Sequence, residues 1–462
     1  MKKIAVMLFV AIVLILSKIN HLIVDGDTFW AIKVGEWIAL NNSVPYQDTF
    51  SWTVYGNPWV AHEWLFDLLI YLSYKTLGLY GMTLVVLVPI TISFFFLWKL
   101  YAAERKSLVL TIIIFSIVAL MLRFGIAARP QIYGYMFFAY FLYVLVNNHK
   151  LLWTLPLTAI AWANFHGSIL LGIAMVFLQF VYEFAYKSIT EKKIYIDIKL
   201  LLVSILTPLF SLINPYGLEL WKTSYYLITS KVNKHIVEWQ PPDFKDISWL
   251  AVYFTIIVTT VFVCYVTKNG VKDYKKFGLI SIYLFGTFYE AITGVRYLPY
   301  LVICWGLFML MLLPGDLLIQ KHWEKKIGIF YLLIILIILL GTGKIPSSLD
   351  DAIDKETWPV EAVNHLEDKR TFNDYMWGGY LVYKDIPVFI DGRADVYWRD
   401  SEVFLDHGNA TRFLKDPGEI FDKYSVDQVI IEAGDPLDFY LGRIGWNESY
   451  RDETAVIYLR PY

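Results

Sequence analysis

Charge is scarce in this sequence. Only 18% of its 462 residues are Asp, Glu, Lys or Arg, and they balance to a net −2. No basic or acidic tail offsets that balance, so nothing points to nucleic acid as a partner. Cysteine is nearly missing: Cys264 and Cys304 are the two present, both inside apolar runs, so a disulfide framework is excluded. No small-residue cleavage site follows the opening MKKIAVMLFVAIVLILS, which therefore reads as a retained first helix and not as a removed signal. Repeats and low-complexity segments are absent too.

What the chain has in abundance is apolar side chains, 57% of the total, too many for an ordinary soluble protein. Long uncharged runs recur at a length that spans a hydrocarbon core, roughly 17–25 residues when helical. Lipid offers the backbone no hydrogen-bond partner, so these runs must be helices. About eleven spans are expected, near 4–19, 80–100, 107–122, 131–147, 151–164, 168–186, 198–213, 248–267, 277–292, 297–319 and 327–342. The pair flanking NFHGS is either two short helices or one broken one. The fold class expected is an all-α polytopic membrane bundle.

Charge orients that bundle. Lys2 and Lys3, Arg105 and Lys106, His149 and Lys150, Lys187, Lys192 and Lys193, Lys268, Lys272, Lys275 and Lys276, and Lys321, Lys325 and Lys326 all fall on one side. The positive-inside rule makes it the cytoplasm, with the N-terminus there. The 20–79 loop, the 123–130 turn, His166, the 214–247 loop, the 293–296 turn and everything after about 343 then lie outside. Past Gly343, charges become frequent, and short β-type runs (VFI 388–390, QVIIE 428–432, AVIYL 455–459) alternate with helical patterns near 359–367 and 416–424. This reads as a small extracytoplasmic α/β domain, 343–462, after a membrane domain, 1–342.

The first outer loop holds the acids that invite attention. Asp25 and Asp27 flank Gly26 where the chain leaves the membrane, and ionised carboxylates are costly there without a cation or a role. Asp27 alone would read as a helix N-cap and Asp25 as a solvated loop residue. Close carboxylates split their titrations, which suits one of them to act as a base. Trp30, Val34, Trp37 and Ile38 share one helical face, and Trp64, Leu65, Leu68, Leu69 and Leu72 another. Both patterns fit interfacial helices anchored by tryptophan, which could also stack on a sugar or prenyl chain. His62 and Glu63 follow in PWVAHEWLFD. Glu63 and Asp67 are one turn apart and repel unless a lysine or a divalent metal ion sits between them.

Acids directly after a first helix, a long first outer loop, many spans and a C-terminal outer domain resemble the GT-C superfamily of membrane glycosyltransferases. The stretch DGDTFWAIKVGEWIALNNSVPYQDTFSWTVYGNPWVAHEWL is most similar to a group of bacterial membrane proteins of that kind. ARPQ (128–131), WANFHGS (162–168), INPYG (213–217) and DGRAD (391–395) also look like motifs of the group. The resemblance implies a GT-C-like bundle in a bacterial plasma membrane. It further implies transfer of a sugar from a polyprenyl-phosphate-linked donor to an unidentified acceptor on the outer face. The essential acid of the first loop matches Asp25 or Asp27. Departures are that the 123–130 turn is basic where oligosaccharyltransferases carry metal-binding acids, and that a WWDYG-type motif is absent.

Such a reaction needs a carboxylate base, a cationic partner for the leaving phosphate and a groove for the lipid. Arg123, Arg129 and Arg296 fall at outer helix ends and suit phosphate, or snorkel to headgroups. His166 could bind the donor or a metal, or be a hydrogen-bonded structural residue. His62 and Glu63 join the candidate substrate-binding set. In DGRAD, a turn with an internal Asp–Arg pair is the plainer account. Competing readings are a transporter or flippase for lipid-linked sugars, which would place its acids nearer the midplane, and an envelope scaffold protein.

Overall fold

The structure, a computed structural model, describes residues 26–104, 108–122, 125–230, 236–266, 273–313, 349–397 and 401–461. The expected spans 4–19 and 327–342, and the candidates Asp25 and Arg123, lie outside the described residues. The described chain falls into two compact units, one of residues 86–217 and 236–313, the other of 26–85, 218–230 and 349–461.

Helices α1 (Gly26–Asn41) and α2 (Trp64–Leu77) come first. They are followed by α3 (Leu79–Ala102), α4 (Leu108–Leu122), α5 (Gln131–Asn147), α6 (Thr154–Phe165) and α7 (Ile169–Glu191). Then come α8 (Ile198–Ser211), α9 (Leu218–Thr229), α10 (Ile247–Val266), α11 (Tyr274–Thr293) and α12 (Leu298–Leu312). The expected spans from 80–100 to 297–319 coincide with α3 to α8 and α10 to α12. By length and composition, three described stretches could cross a membrane: Leu79–Ala102, Ile169–Glu191 and Val295–Leu312. The stretch around NFHGS is two helices, broken where His166 takes an extended backbone.

The helical unit packs α6 and α7 on α8, and α12 on α4 and α11. Close approach is bought with glycine: a Cβ at Gly172 on α7 would meet the Trp162 ring at 2.5 Å. Its two ends are tied separately. At one, Lys276 reaches Glu104 (2.5 Å) and Asn147 (2.6 Å), so the turns that carry the Lys- and Arg-rich loops share an end. At the other end of α11, Val295 N–H donates to the Gln240 carbonyl (3.1 Å), joining the 293–297 turn to the 236–246 segment. Asn164 of WANFHGS donates to the carbonyl of Ile213 (2.9 Å), which opens INPYG, so two of the singled-out motifs meet.

The second unit combines the first outer loop with the C-terminal segment. Here α1 is buried nearly all round: Phe29, Trp30, Ile32, Val34 and Ile38 are all inside. The expectation that Trp30 anchors an interface is thus corrected. Gly35 is the reason α1 sinks so far, since a side chain there would run into the backbone of Asp67 on α2. Of α2, Phe66, Asp67, Ile70 and Tyr71 face inward, Trp64, Leu65, Leu68 and Leu69 are half-buried, and Leu72 is exposed.

The C-terminal segment supplies α13 (Gly378–Tyr383), α14 (Ser401–Thr411), α15 (Pro417–Tyr424) and α16 (Pro436–Arg443). Its strands are β1 (Thr371–Asn373), β2 (Gln428–Glu432), β3 (Asn447–Arg451) and β4 (Ala455–Leu459). They form one sheet in the order β1-β2-β4-β3, with β1 and β2 parallel and the other pairs antiparallel. QVIIE and AVIYL are strands as expected, and 416–424 is helical. VFI is not a sheet strand. Its backbone groups are taken by the outer loop (Val388 N–H to Phe50 O, 3.3 Å; Trp52 N–H to Val388 O, 3.0 Å) and by the Asn373 side chain (Phe389 N–H to Oδ1, 2.8 Å). The 359–367 pattern yields only a short 3₁₀ turn, Ala362–His365.

Candidate active site

DGRAD is the point on which the second unit turns. Arg393 is fully buried, and its guanidinium meets Asp391 through Nε (2.9 Å) and NH2 (2.6 Å) and Asp48 through NH1 (2.7 Å). The rings of Phe50 and Trp59 lie against it, 5.0 and 4.9 Å away. Burial opposes the charge on Arg393, but Asp391 and Asp48 outweigh it and hold its pKa well above the ordinary value. Asp48 is satisfied further by the N–H (3.0 Å) and hydroxyl of Ser51. The internal Asp–Arg pair expected of DGRAD is present, and the first outer loop adds a second acid to it.

Asp27 approaches the same turn from α1. It is itself a helical residue, the second of the described part of α1. Its Oδ1 accepts from the Trp30 indole N–H at 3.1 Å. The same oxygen occupies the space a side chain at Gly392 would fill, so the second residue of DGRAD must be glycine for this carboxylate to stay. Gly379 on α13 likewise leaves room for the carbonyl of Gly26.

His62 and Glu63 gather at the last residue of DGRAD. Asp395 accepts from Trp59 Nε1 (2.9 Å), and its Oδ2 lies 3.3 Å from His62 Nδ1, while His62 Nε2 lies 3.2 Å from Glu63. Burial opposes a charge on His62, but Glu63 and Asp395 together push its pKa well above the usual value. One turn on, Asp67 is buried with neither carboxyl oxygen hydrogen-bonded. Burial first, then the nearby Glu63, raises its pKa well above the carboxylate range. The surroundings thus favour a charged His62 and a neutral Asp67, the combination that relieves the repulsion anticipated between Glu63 and Asp67. Among the described residues no group of three or more His, Cys, Asp or Glu side chains is placed to hold a metal ion.

In the helical unit, two of the arginines meet one short segment. Arg129 pairs with Glu238, and Arg296 stacks on Trp239 at 3.8 Å. Nothing in the hydropathy pattern marked this V-E-W turn; an acid beside a tryptophan in an outer loop was the available signal. His166 sits at the break before α7, its Nδ1 accepting from the Ser168 N–H (3.1 Å) and lying 2.7 Å from the Ser168 hydroxyl, which itself accepts from Trp162 Nε1 (3.0 Å). Those bonds place the imidazole proton on Nε2.

No family model matches the chain, and no curated protein matches it in sequence. Solved structures do match. An oligosaccharyltransferase from Archaeoglobus fulgidus in the apo form superposes with a TM-score of 0.60, covering 93% of this chain and 69% of its own, at 10% identity. The oligosaccharyltransferase AglB from the same organism, in complex with an inhibitory peptide and a dolichol-phosphate, gives 0.60 at 11% identity over the same shares. ArnT from Cupriavidus metallidurans, bound to undecaprenyl phosphate, gives 0.52 at 12% identity and covers 98% of this chain and 97% of its own.

The fold is GT-C.

Within a GT-C fold, the feature that hydropathy alone could not provide is the partnership just described. Residues 26–85 and the C-terminal segment belong to one compact unit, and DGRAD is where its acids converge.

Proposed function

We propose that this chain is an integral membrane glycosyltransferase. It moves a sugar from a polyprenyl-phosphate-linked donor to an acceptor on the extracytoplasmic face, with an acid of the first outer loop as general base. The observation that carries this reading is the GT-C fold over nearly the whole chain, with Asp27 oriented by Trp30 in a glycine-lined niche of DGRAD. Asp25, two residues earlier, is the other candidate for the base.

The acceptor hydroxyl gives its proton to the carboxylate as its oxygen bonds to the anomeric carbon. The bond from that carbon to the phosphate oxygen breaks, and polyprenyl phosphate leaves with the electron pair. Attack opposite the leaving group inverts the anomeric centre. Arg129, Arg296 and Arg123 serve the phosphate, for which a guanidinium is the natural bidentate partner. Arg129 must exchange Glu238 for the phosphate to do so. His62, clamped as an imidazolium between Glu63 and Asp395, keeps the outer loop on DGRAD, and His166 contributes a fixed N–H donor. In the same reading the eleven spans cross the membrane with the N-terminus inside and the C-terminal domain outside.

The test is to supply membranes containing the protein with a mixture of labelled polyprenyl-phosphate sugars. Free polyprenyl phosphate should accumulate as label passes to an acceptor with inverted configuration. Label that crosses the bilayer while still linked to its lipid would instead establish the transporter reading.

A further inference from the structure

A cleft of about 320 Å³ opens beside α1 in the second unit, away from the Asp27 end of the helix. Lys33, Glu36 and Trp37 of α1 line it with Phe50, Asp385 and Pro387, together with four more residues, three of them aliphatic. Its size lies at the small end of ligand pockets, roughly 300–1,000 Å³. Three charged groups stand in it together: Lys33 Nζ is 2.5 Å from Asp385 and 2.7 Å from Glu36. The side chain of Lys33 is only 16% exposed, whereas that of Asp385 is 74% exposed. Two carboxylates against one ammonium leave the lining with a formal charge of −1.

The walls are fixed before anything binds. Ser51 bridges to Val388, Trp52 N–H donates to the Val388 carbonyl (3.0 Å), and Lys33 ties α1 to the turn that carries Asp385. Asp385 itself holds a left-handed backbone, φ +61°, in a residue that is not glycine. Such conformations cost energy and collect at ligand clamps. A preorganised lining loses little on binding.

We propose that this cleft is a saccharide subsite that takes one ring of a neutral or amine-bearing glycan. Ring hydroxyls can donate to Glu36 and Asp385 and accept from Lys33, while the C–H face of the ring lies on the Trp37 indole. The negative balance turns away phosphate and uronic acids. The inference rests on glycosyl transfer for its place in the reaction, but not for its test. The ring belongs either to the acceptor glycan or to the donor's sugar.

Ligand-observed saturation-transfer NMR on the full chain in detergent, with chitotriose, glucosamine and glucuronic acid as probes, decides it. Chitotriose and glucosamine should give signal and glucuronic acid none. Trp37→Leu and Glu36→Gln should weaken Kd at least tenfold, and Asp385→Asn, at an exposed position that leaves packing intact, should do the same. Asp27→Asn should leave sugar binding unchanged, so that loss of turnover and loss of binding are separable. A farnesyl-phosphate-linked sugar that displaces chitotriose identifies the donor's ring; simultaneous binding identifies the acceptor's. The proposal is overturned if no sugar binds the wild type, if glucuronic acid binds equally well, or if all three cleft variants bind like the wild type.

Discussion

Arg393 and Asp27 touch the same five-residue turn and are held in opposite ways. Arg393 is closed in by two carboxylates and two aromatic rings. Asp27 is half-buried on α1, with an indole donor on one oxygen and a glycine where any side chain would crowd it. A cation so fully engaged cannot turn to a ligand without stranding two buried acids, so its work is architectural. A carboxylate oriented by an indole and given space by glycine is suited to receive a proton. Residue type alone does not separate the two; burial and partners do.

The comparison breaks if Arg393 proves dispensable. Arg393→Leu leaves Asp48 and Asp391 buried without a counter-charge, which should cost about 3–5 kcal/mol. Denaturant melts in detergent would register the loss, and Arg393→Lys should rescue little, because an ammonium cannot reproduce the forked bonds. Gly392→Ala sharpens the other side. Its methyl group displaces the Asp27 carboxylate, and a misplacement near 1 Å can cost on the order of 100-fold in turnover. The melting temperature should hardly move, and turnover equal to wild type would remove Asp27 from the niche.

A smaller effect is expected from pH. The folded-state pKa of His62 is raised, so its stabilisation is complete below about pH 6.5 and is lost as pH rises through the folded value. Asp67 acts in the same direction: its raised pKa favours the fold at low pH and is lost as pH climbs above the ordinary carboxylate range. Melting temperatures should therefore fall by a few degrees as pH rises, from about pH 4 through Asp67 and from about pH 6.5 through His62, and His62→Gln should flatten the upper part of that slope. Smallest of all, Glu238→Gln loosens a partly exposed ion pair worth about 0.2–1 kcal/mol and should leave the melt nearly unchanged.

Much of this was legible in the sequence for physical reasons. Apolar runs separated by basic turns marked the helices and the shared end of their loops, because both signals are local in sequence. QVIIE and AVIYL were legible as strands because their pattern is local. VFI was not, since its backbone partners are a loop more than 330 residues away in sequence and the Asn373 side chain. The burial of Trp30 was hidden likewise: the tight crossing at Gly35 depends on α2, and one glycine in a helical pattern does not name its neighbour. DGRAD and the outer-loop acids were each visible, but their convergence was not. That Glu238 and Trp239 receive Arg129 and Arg296 is again a contact between distant loops.

The most direct measurement is the turnover of Asp27→Asn, set beside Asp25→Asn and wild type in vesicles with a labelled polyprenyl-phosphate sugar. A base on α1 predicts that one of the two substitutions lowers kcat by about 10²–10⁴-fold, with KM and melting temperature nearly unchanged. Full turnover in both variants would contradict it.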